Sequence, residues 1–184
     1  MKLNIGFFLG SKLGRGNNYS ILTKNVAKWL NQSKHNVVFG GTESGIMRDL
    51  VVNLNRKELK VTAIITKGLM KEHNECSYFN ELILVEDLKK RTEQFLLRSD
   101  VFLALPGGIG TLFEVVEIFN KRVLGETSKK LFIINDFNYW NPLKNLLEHM
   151  IKENFLDKKT VLKNIEFINF CEVKERLDDV QNSG

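Results

Sequence analysis

Two cysteines stand in 184 residues, and Cys76 and Cys171 are too far apart for a paired zinc or redox motif. That spacing argues against a disulfide framework and fits a reducing compartment with incidental thiols. His35, His73 and His149 are isolated from one another and from other ligand types at metal spacing, so no metal is expected. No apolar run approaches the roughly 20 residues that cross a bilayer. The N-terminus enters a strand pattern without the layout of a signal peptide, so the expectation is a cytoplasmic protein with no membrane partner. Lys and Arg number 27 against 22 Asp and Glu, a net charge of +5. No block of five basic residues occurs, which favours a solvated basic surface over a nucleic-acid partner. Gly-Lys-Ser and Gly-Lys-Thr are absent, which excludes a Walker-type phosphate loop. Repeats and low-complexity segments are absent as well.

What is present is enough apolar residue, 43%, to build one substantial core, so residues 1–184 are expected to form a single domain with residues 179–184 as a frayed tail. Apolar runs at Leu3–Leu9, Asn36–Phe39, Val61–Ile65, Leu82–Val85, Val101–Leu105, Leu131–Ile134 and Ile165–Phe170 read as strands, the first and the fifth of them buried. Between them, helical spacing is visible over Asn18–Leu30, Ile46–Leu54, Leu88–Leu97, Thr111–Leu124 and Leu143–Ile151, while residues 67–80 read as a loop. Strands alternating with helices of this length imply right-handed crossovers and a parallel sheet covered on both faces. The predicted class is therefore α/β, Rossmann-like, an open parallel sheet with helices on both faces.

Nine of the 13 glycines fall in three clusters, at 10–16, 40–45 and 107–110, and each cluster directly follows a strand. In an open parallel sheet those turns share the carboxyl edge, where ligands bind, so the three clusters are predicted to line one crevice. A dinucleotide site fits poorly. Gly14-Arg15-Gly16 is offset from the first strand and lacks a third glycine, and Phe39-Gly40 stands where an acidic residue would hold a ribose. A mononucleotide or sugar phosphate fits better.

The central stretch is Leu105-Pro106-Gly107-Gly108-Ile109-Gly110-Thr111-Leu112-Phe113-Glu114. Gly107, Gly108 and Gly110 let a ligand approach the backbone, and the first turn of a helix offers unpaired N–H groups of partial positive charge, a seat for phosphate. Thr111 adds a hydroxyl donor. Glu114, one turn into a helix facing an anion, must either point away or act chemically on the ligand. A carboxylate so placed can stabilise developing positive charge or move a proton on a bound ligand.

The stretch from Pro106 to Glu114 resembles the Pro-Gly-Gly-x-Gly-Thr-x-x-Glu signature of the LOG (LONELY GUY) family, long mislabelled as lysine decarboxylases. The resemblance extends over the Gly10-Ser11 turn, the Phe39-Gly40-Gly41 turn with Gly45-Ile46-Met47, the Arg91 helix, and Tyr139 to Leu143. It implies cytokinin riboside 5′-monophosphate phosphoribohydrolases, which release a free base and ribose 5-phosphate. Many bacterial members also cleave AMP, and members are usually homodimers of Rossmann-like fold. It further implies Arg91 as the catalytic arginine, Glu114 as the catalytic acid, the turn at Gly107, Gly108, Gly110 and Thr111 at the phosphate, and Gly10, Ser11 and Gly41 on the substrate side. The family's Arg-Lys-x-x-Met is here Arg91-Thr92-Glu93-Gln94-Phe95, Met-His-Glu before it is replaced by Leu88-Lys89-Lys90, and the glycine-rich second turn ends in Arg48. These departures touch the base-binding side more than the catalytic pair.

Two residues keep two readings. Arg91 is either an electrostatic clamp or a surface cation paired loosely with Asp87 one turn before it. Glu117 is either a second acid on the substrate or half of an exposed i,i+4 pair with Lys121. Phe137, Tyr139 and Trp140 read as a packed loop rather than a lid. No cofactor is expected, since decarboxylation would need pyridoxal phosphate on a lysine in a much larger scaffold. The function expected is hydrolysis of a nucleoside 5′-monophosphate, against the alternative of a non-catalytic binding protein for a nucleotide or phosphorylated cofactor.

Overall fold

Seven short apolar segments pair side by side in the computed structural model, which describes residues 2–70 and 78–182. They are β1 (Asn4–Phe8), β2 (Asn36–Phe39), β3 (Val61–Thr66), β4 (Glu81–Val85), β5 (Val101–Ala104), β6 (Leu131–Ile134) and β7 (Glu166–Ile168). Every pairing is parallel, in the order β4-β3-β2-β1-β5-β6-β7. The chain builds outward from β1 to β4, then returns to the centre and adds β5, β6 and β7 on the other side. The reversal between β1 and β5 is a topological switch point, where the outgoing loops part toward opposite faces and leave a crevice.

Successive strand residues feed two separate cores, because side chains alternate across a sheet. Ile5, Phe7, Val37, Phe39, Val101 and Leu103 pack with α1 (Asn18–Ser33), α2 (Gly45–Val52) and α8 (Val173–Asn182). Phe8, Val38, Ile64, Phe102 and Ala104 pack with α4 (Leu88–Arg98), α5 (Ile109–Val123), α6 (Asn141–Lys152) and α7 (Lys158–Asn164). Both faces being covered, the strands read as apolar runs rather than alternating ones. Phe8 stacks on Phe102 with ring centroids 5.3 Å apart. Gly6 makes the space for this: a Cβ there would lie 2.6 Å from the Phe102 ring.

Local signals account for the helix ends. α1 buries Leu22, Val26, Ala27 and Leu30 and stops at Lys34, whose left-handed backbone returns its N–H to the Leu30 carbonyl. Ile21, on the same periodic pattern, is solvent-facing. Asp87 opens α4 by accepting the Lys90 N–H at 2.8 Å.

Three elements differ from the sequence expectation. The first part of the 67–80 segment is a short helix, α3 (Lys67–Met70). Residues 71–77, with His73 and Cys76, lie outside the described residues. α7 follows Asp157, which caps it by accepting the Thr160 N–H and hydroxyl at 2.8 and 2.6 Å. Its polar composition gave no apolar period. α8 continues through Asn182, past the point where periodicity ends, and is introduced by a reciprocal Asn169–Glu172 capping box. That box also explains why β7 stops at Ile168 rather than Phe170.

His35 accepts the Leu3 N–H at Nδ1, and burial holds its pKa below the ordinary value. His149 is exposed. Among the described residues no helix is long and apolar enough to cross a membrane, and no cluster of three metal-ligating side chains occurs.

Candidate active site

The three glycine-rich turns meet at the switch point. The Gly10 N–H donates to the Pro106 carbonyl at 3.1 Å, and the Gly10 carbonyl accepts the Met47 N–H at 3.2 Å. The loop after β1 is thereby joined both to the loop after β5 and to the first turn of α2. Gly45, at φ +56°, lies so close to the backbone of Ser11 and Lys12 that any Cβ would collide with it. The turns enclose a cavity of about 630 Å³, within the range of small-molecule sites.

One wall of the cavity is the turn from Pro106 to Thr111, where α5 begins. Gly108, the residue before its first turn, has no side chain to cap it, so the leading N–H groups face the cavity without a side-chain acceptor. A Cβ on Gly108 or Gly110 would meet no atom within 4 Å. Thr111 is buried and also lines this wall. Tyr139 donates its hydroxyl to the Gly107 carbonyl at 2.5 Å and closes one side. Trp140 is buried behind it, whereas Phe137 is 55% exposed, so packing describes Trp140 and not the whole aromatic run.

Arg91 and Glu114 form the charged floor. Arg91 reaches from α4 over the carboxyl edge of the sheet, where Nη1 meets Glu114 Oε1 at 2.7 Å and Nε donates to the Ile64 carbonyl at 3.1 Å. Nη2 reaches the Gly40 carbonyl at 3.5 Å, and a Cβ on Gly40 would collide with the guanidinium. The two side chains are only 12% and 13% exposed. Arg91 is therefore not a surface cation paired with Asp87, which is occupied in capping α4. Burial pushes the Glu114 carboxyl up to about 7, against the opposing pull of Arg91 and with a smaller push from Glu117. A carboxyl held there exchanges its proton near neutral pH, as acid–base work requires.

Of the other residues singled out, Gly10, Ser11, Gly107, Gly108, Gly110 and Thr111 all line the cavity. Gly41 does not. At φ +79° it packs against Ala63 and Ile65, and its neighbours Gly40 and Thr42 line the wall instead. Glu117 also lies off the cavity and accepts the Thr92 hydroxyl at 2.5 Å. Lys121 pairs with Glu126 at 2.8 Å, so the expected i,i+4 pair is replaced.

Lys12, Tyr19, Ser44 and Leu69 line the cavity without having been singled out from the sequence, and Met47, part of the second glycine-rich turn's resemblance, lines it too. Lys12 was the legible one, since it sits inside the first glycine cluster. Among the described lining residues the formally charged side chains are Lys12, Arg91 and Glu114. Arg91 is paired with Glu114, whereas Lys12 forms no ion pair with another described residue.

This chain is similar to a cytokinin riboside 5′-monophosphate phosphoribohydrolase of Rhodococcoides fascians, at 30% identity over 89% of this chain and 85% of that protein. It is also 30% identical to an Arabidopsis thaliana protein of that name, over 81% of this chain and 65% of the relative. A probable member from Oryza sativa subsp. japonica gives 29% over 82% of this chain and again 65% of the relative. The chain thus spans just under two thirds of these plant proteins. Among solved structures, a Moco carrier protein from Chlamydomonas reinhardtii superposes with a TM-score of 0.72 at 12% identity, covering 100% of both chains. At that identity the likeness is one of fold. The family described as "Possible lysine decarboxylase" matches residues 45–177, and with the 30% identity to named phosphoribohydrolases this establishes that the chain belongs to the LOG family.

Proposed function

We propose that the protein hydrolyses the N-glycosidic bond of a nucleoside 5′-monophosphate, a cytokinin riboside 5′-monophosphate or AMP, to a free base and ribose 5-phosphate. The observation that carries this reading is the buried Arg91–Glu114 ion pair beside the uncapped start of α5, within one cavity. The phosphate sits at the first turn of α5, with the Thr111 hydroxyl as a further donor and Lys12 supplying charge. The ribose then lies over Glu114. As the bond from C1′ to the base nitrogen breaks, its electron pair leaves with the base and positive charge develops on the ribose. The ionised Glu114 carboxylate stabilises that charge and accepts a proton from the water that adds to C1′. The departing base takes up a proton, so the reaction consumes one water. Arg91 stays cationic and orients Glu114 through a charge-assisted hydrogen bond.

The same reading includes a homodimer, supported by the exposed apolar side chains Phe113 and Val116 on α5. It places the protein in the cytoplasm, supported by two cysteines without paired spacing. Incubation with AMP and with N6-prenylated AMP, following free base by chromatography, tests the reaction. Base release from either nucleotide is expected. Binding of nucleotide without any base release would assign the chain to the non-catalytic alternative.

A further inference from the structure

Adjacent residues of α4, Arg91 and Thr92, face residues one turn apart on α5, Glu114 and Glu117, and the two helices are joined by two rungs. The first rung is the Arg91–Glu114 ion pair on the cavity side, at 2.7 Å. The second is the Thr92 hydroxyl on Glu117 Oε2, at 2.5 Å. We infer that Thr92 and Glu117 are positioning residues, which hold the Arg91–Glu114 pair in register from behind without touching substrate. The inference rests on the proposed reaction for its kinetic consequences, and on the geometry alone for its electrostatic ones.

Glu117 does not line the main cavity. It borders a second void of about 10 Å³, shared with Arg91, Thr92 and Glu114 and otherwise enclosed by apolar side chains such as Phe8, Phe95 and Ile118, too small for a substrate. Thr92 is buried, and its hydroxyl has a choice of acceptors, the Leu88 carbonyl at 3.2 Å and the Glu117 carboxylate at 2.5 Å. It has one proton to donate. The carboxylate is nearer and charged, so it takes the bond, and the helix-internal acceptor is the weaker local option.

Glu117 makes no direct ion pair among the described residues: Lys121, one turn on, is hydrogen-bonded to Glu126 and acts on Glu117 only as a more distant positive charge. The groups acting on Glu114 are therefore Arg91 from α4, which favours the carboxylate, and Glu117 on its own helix, which opposes it. The wall behind them is apolar. Thr92 thus fixes the position of the one like charge that counteracts Arg91. A threonine suits this task, since a hydroxyl anchors the carboxylate without cancelling its charge, as a lysine would.

The test combines a direct titration with kinetics. Carboxyl-labelled glutamate is followed by NMR through pH in the wild type, Glu117→Gln, Thr92→Val and Thr92→Ser, with the Glu114 signal assigned by its loss in Glu114→Gln. Glu117→Gln should lower the Glu114 midpoint by roughly half a unit to one unit. Thr92→Val should also displace the midpoint, because Glu117 loses its anchor, whereas Thr92→Ser should keep it. In AMP cleavage, Thr92→Val should lower kcat on the order of tenfold with KM within about twofold, and Thr92→Ser should restore kcat. A Glu114 midpoint unmoved in both Glu117→Gln and Thr92→Val overturns the inference. Absence of cleavage by the wild type would overturn the proposed reaction instead, while the titration would still judge the positioning pair.

Discussion

At the residue scale the decisive feature is a carboxyl that burial and a neighbouring guanidinium pull in opposite directions. Glu114 is raised from 4.5 to about 7, burial being the larger influence. A group whose folded value lies above its unfolded value retains its proton in the native state after the unfolded chain has released it. Stability therefore falls as pH rises from about 4.5 to about 7, then levels off, by up to about 3 kcal/mol for this group alone. Urea unfolding of the wild type and Glu114→Gln at pH 5 and pH 8 measures this. The wild type should lose more stability than the variant over that interval, and parallel losses would show that the carboxyl titrates in its ordinary range. Lys12 supplies a second test at this scale. Lys12→Ala should raise KM for AMP about tenfold or more with kcat little changed, the signature of lost binding to a phosphate charge.

At the scale of elements, the site is a meeting of turns. Glycine clusters after strands were legible because the chemistry of a tight turn is local, and so was the opening of α5 after Pro106-Gly107-Gly108. The orientation of Glu117 was not, because the i,i+4 spacing to Lys121 is a property of the isolated helix. The docking of α4 against α5 substitutes Thr92 as its partner. Gly41 is a similar case: its cluster was located correctly, but the positive φ turns it toward Ala63 and Ile65. α7 is not visible in the sequence because its start signal, Asp157 with Thr160, stands without an apolar stripe. The opening of α5 gives the prediction for this scale. Gly108 lines the cavity and a Cβ there would meet no atom within 4 Å, so Gly108→Phe adds bulk at the opening of α5 without a clash at its Cβ. Ribose 5-phosphate affinity by calorimetry should fall at least on the order of tenfold, with circular dichroism unchanged. Retained affinity would locate the phosphate elsewhere.

At the scale of the whole molecule, the parallel α/β class followed from seven apolar runs separated by helical spacing. Strand order did not, because pairing across the return from β4 to β5 depends on contacts remote in sequence. It is that return which places Pro106 beside Gly10 and Arg91 above Gly40. The outer surface carries a further expectation. Phe113 and Val116 are 47% and 46% exposed on the face of α5 directed away from the sheet. Light scattering in dilute solution should report a dimer, and a monomer mass persisting to high concentration would remove the homodimer from the reading.

The most direct test of the central claim is single-turnover cleavage at saturating AMP by the wild type and Glu114→Gln, with AMP affinity measured for both. Glutamine keeps the size and much of the hydrogen bonding of the side chain while removing its charge and its titratable proton. Affinity should largely survive while base release falls by about 10² to 10⁴, the range for losing one positioned electrostatic or acid–base group. Equal cleavage rates in the two proteins would contradict the account and remove Glu114 from the mechanism.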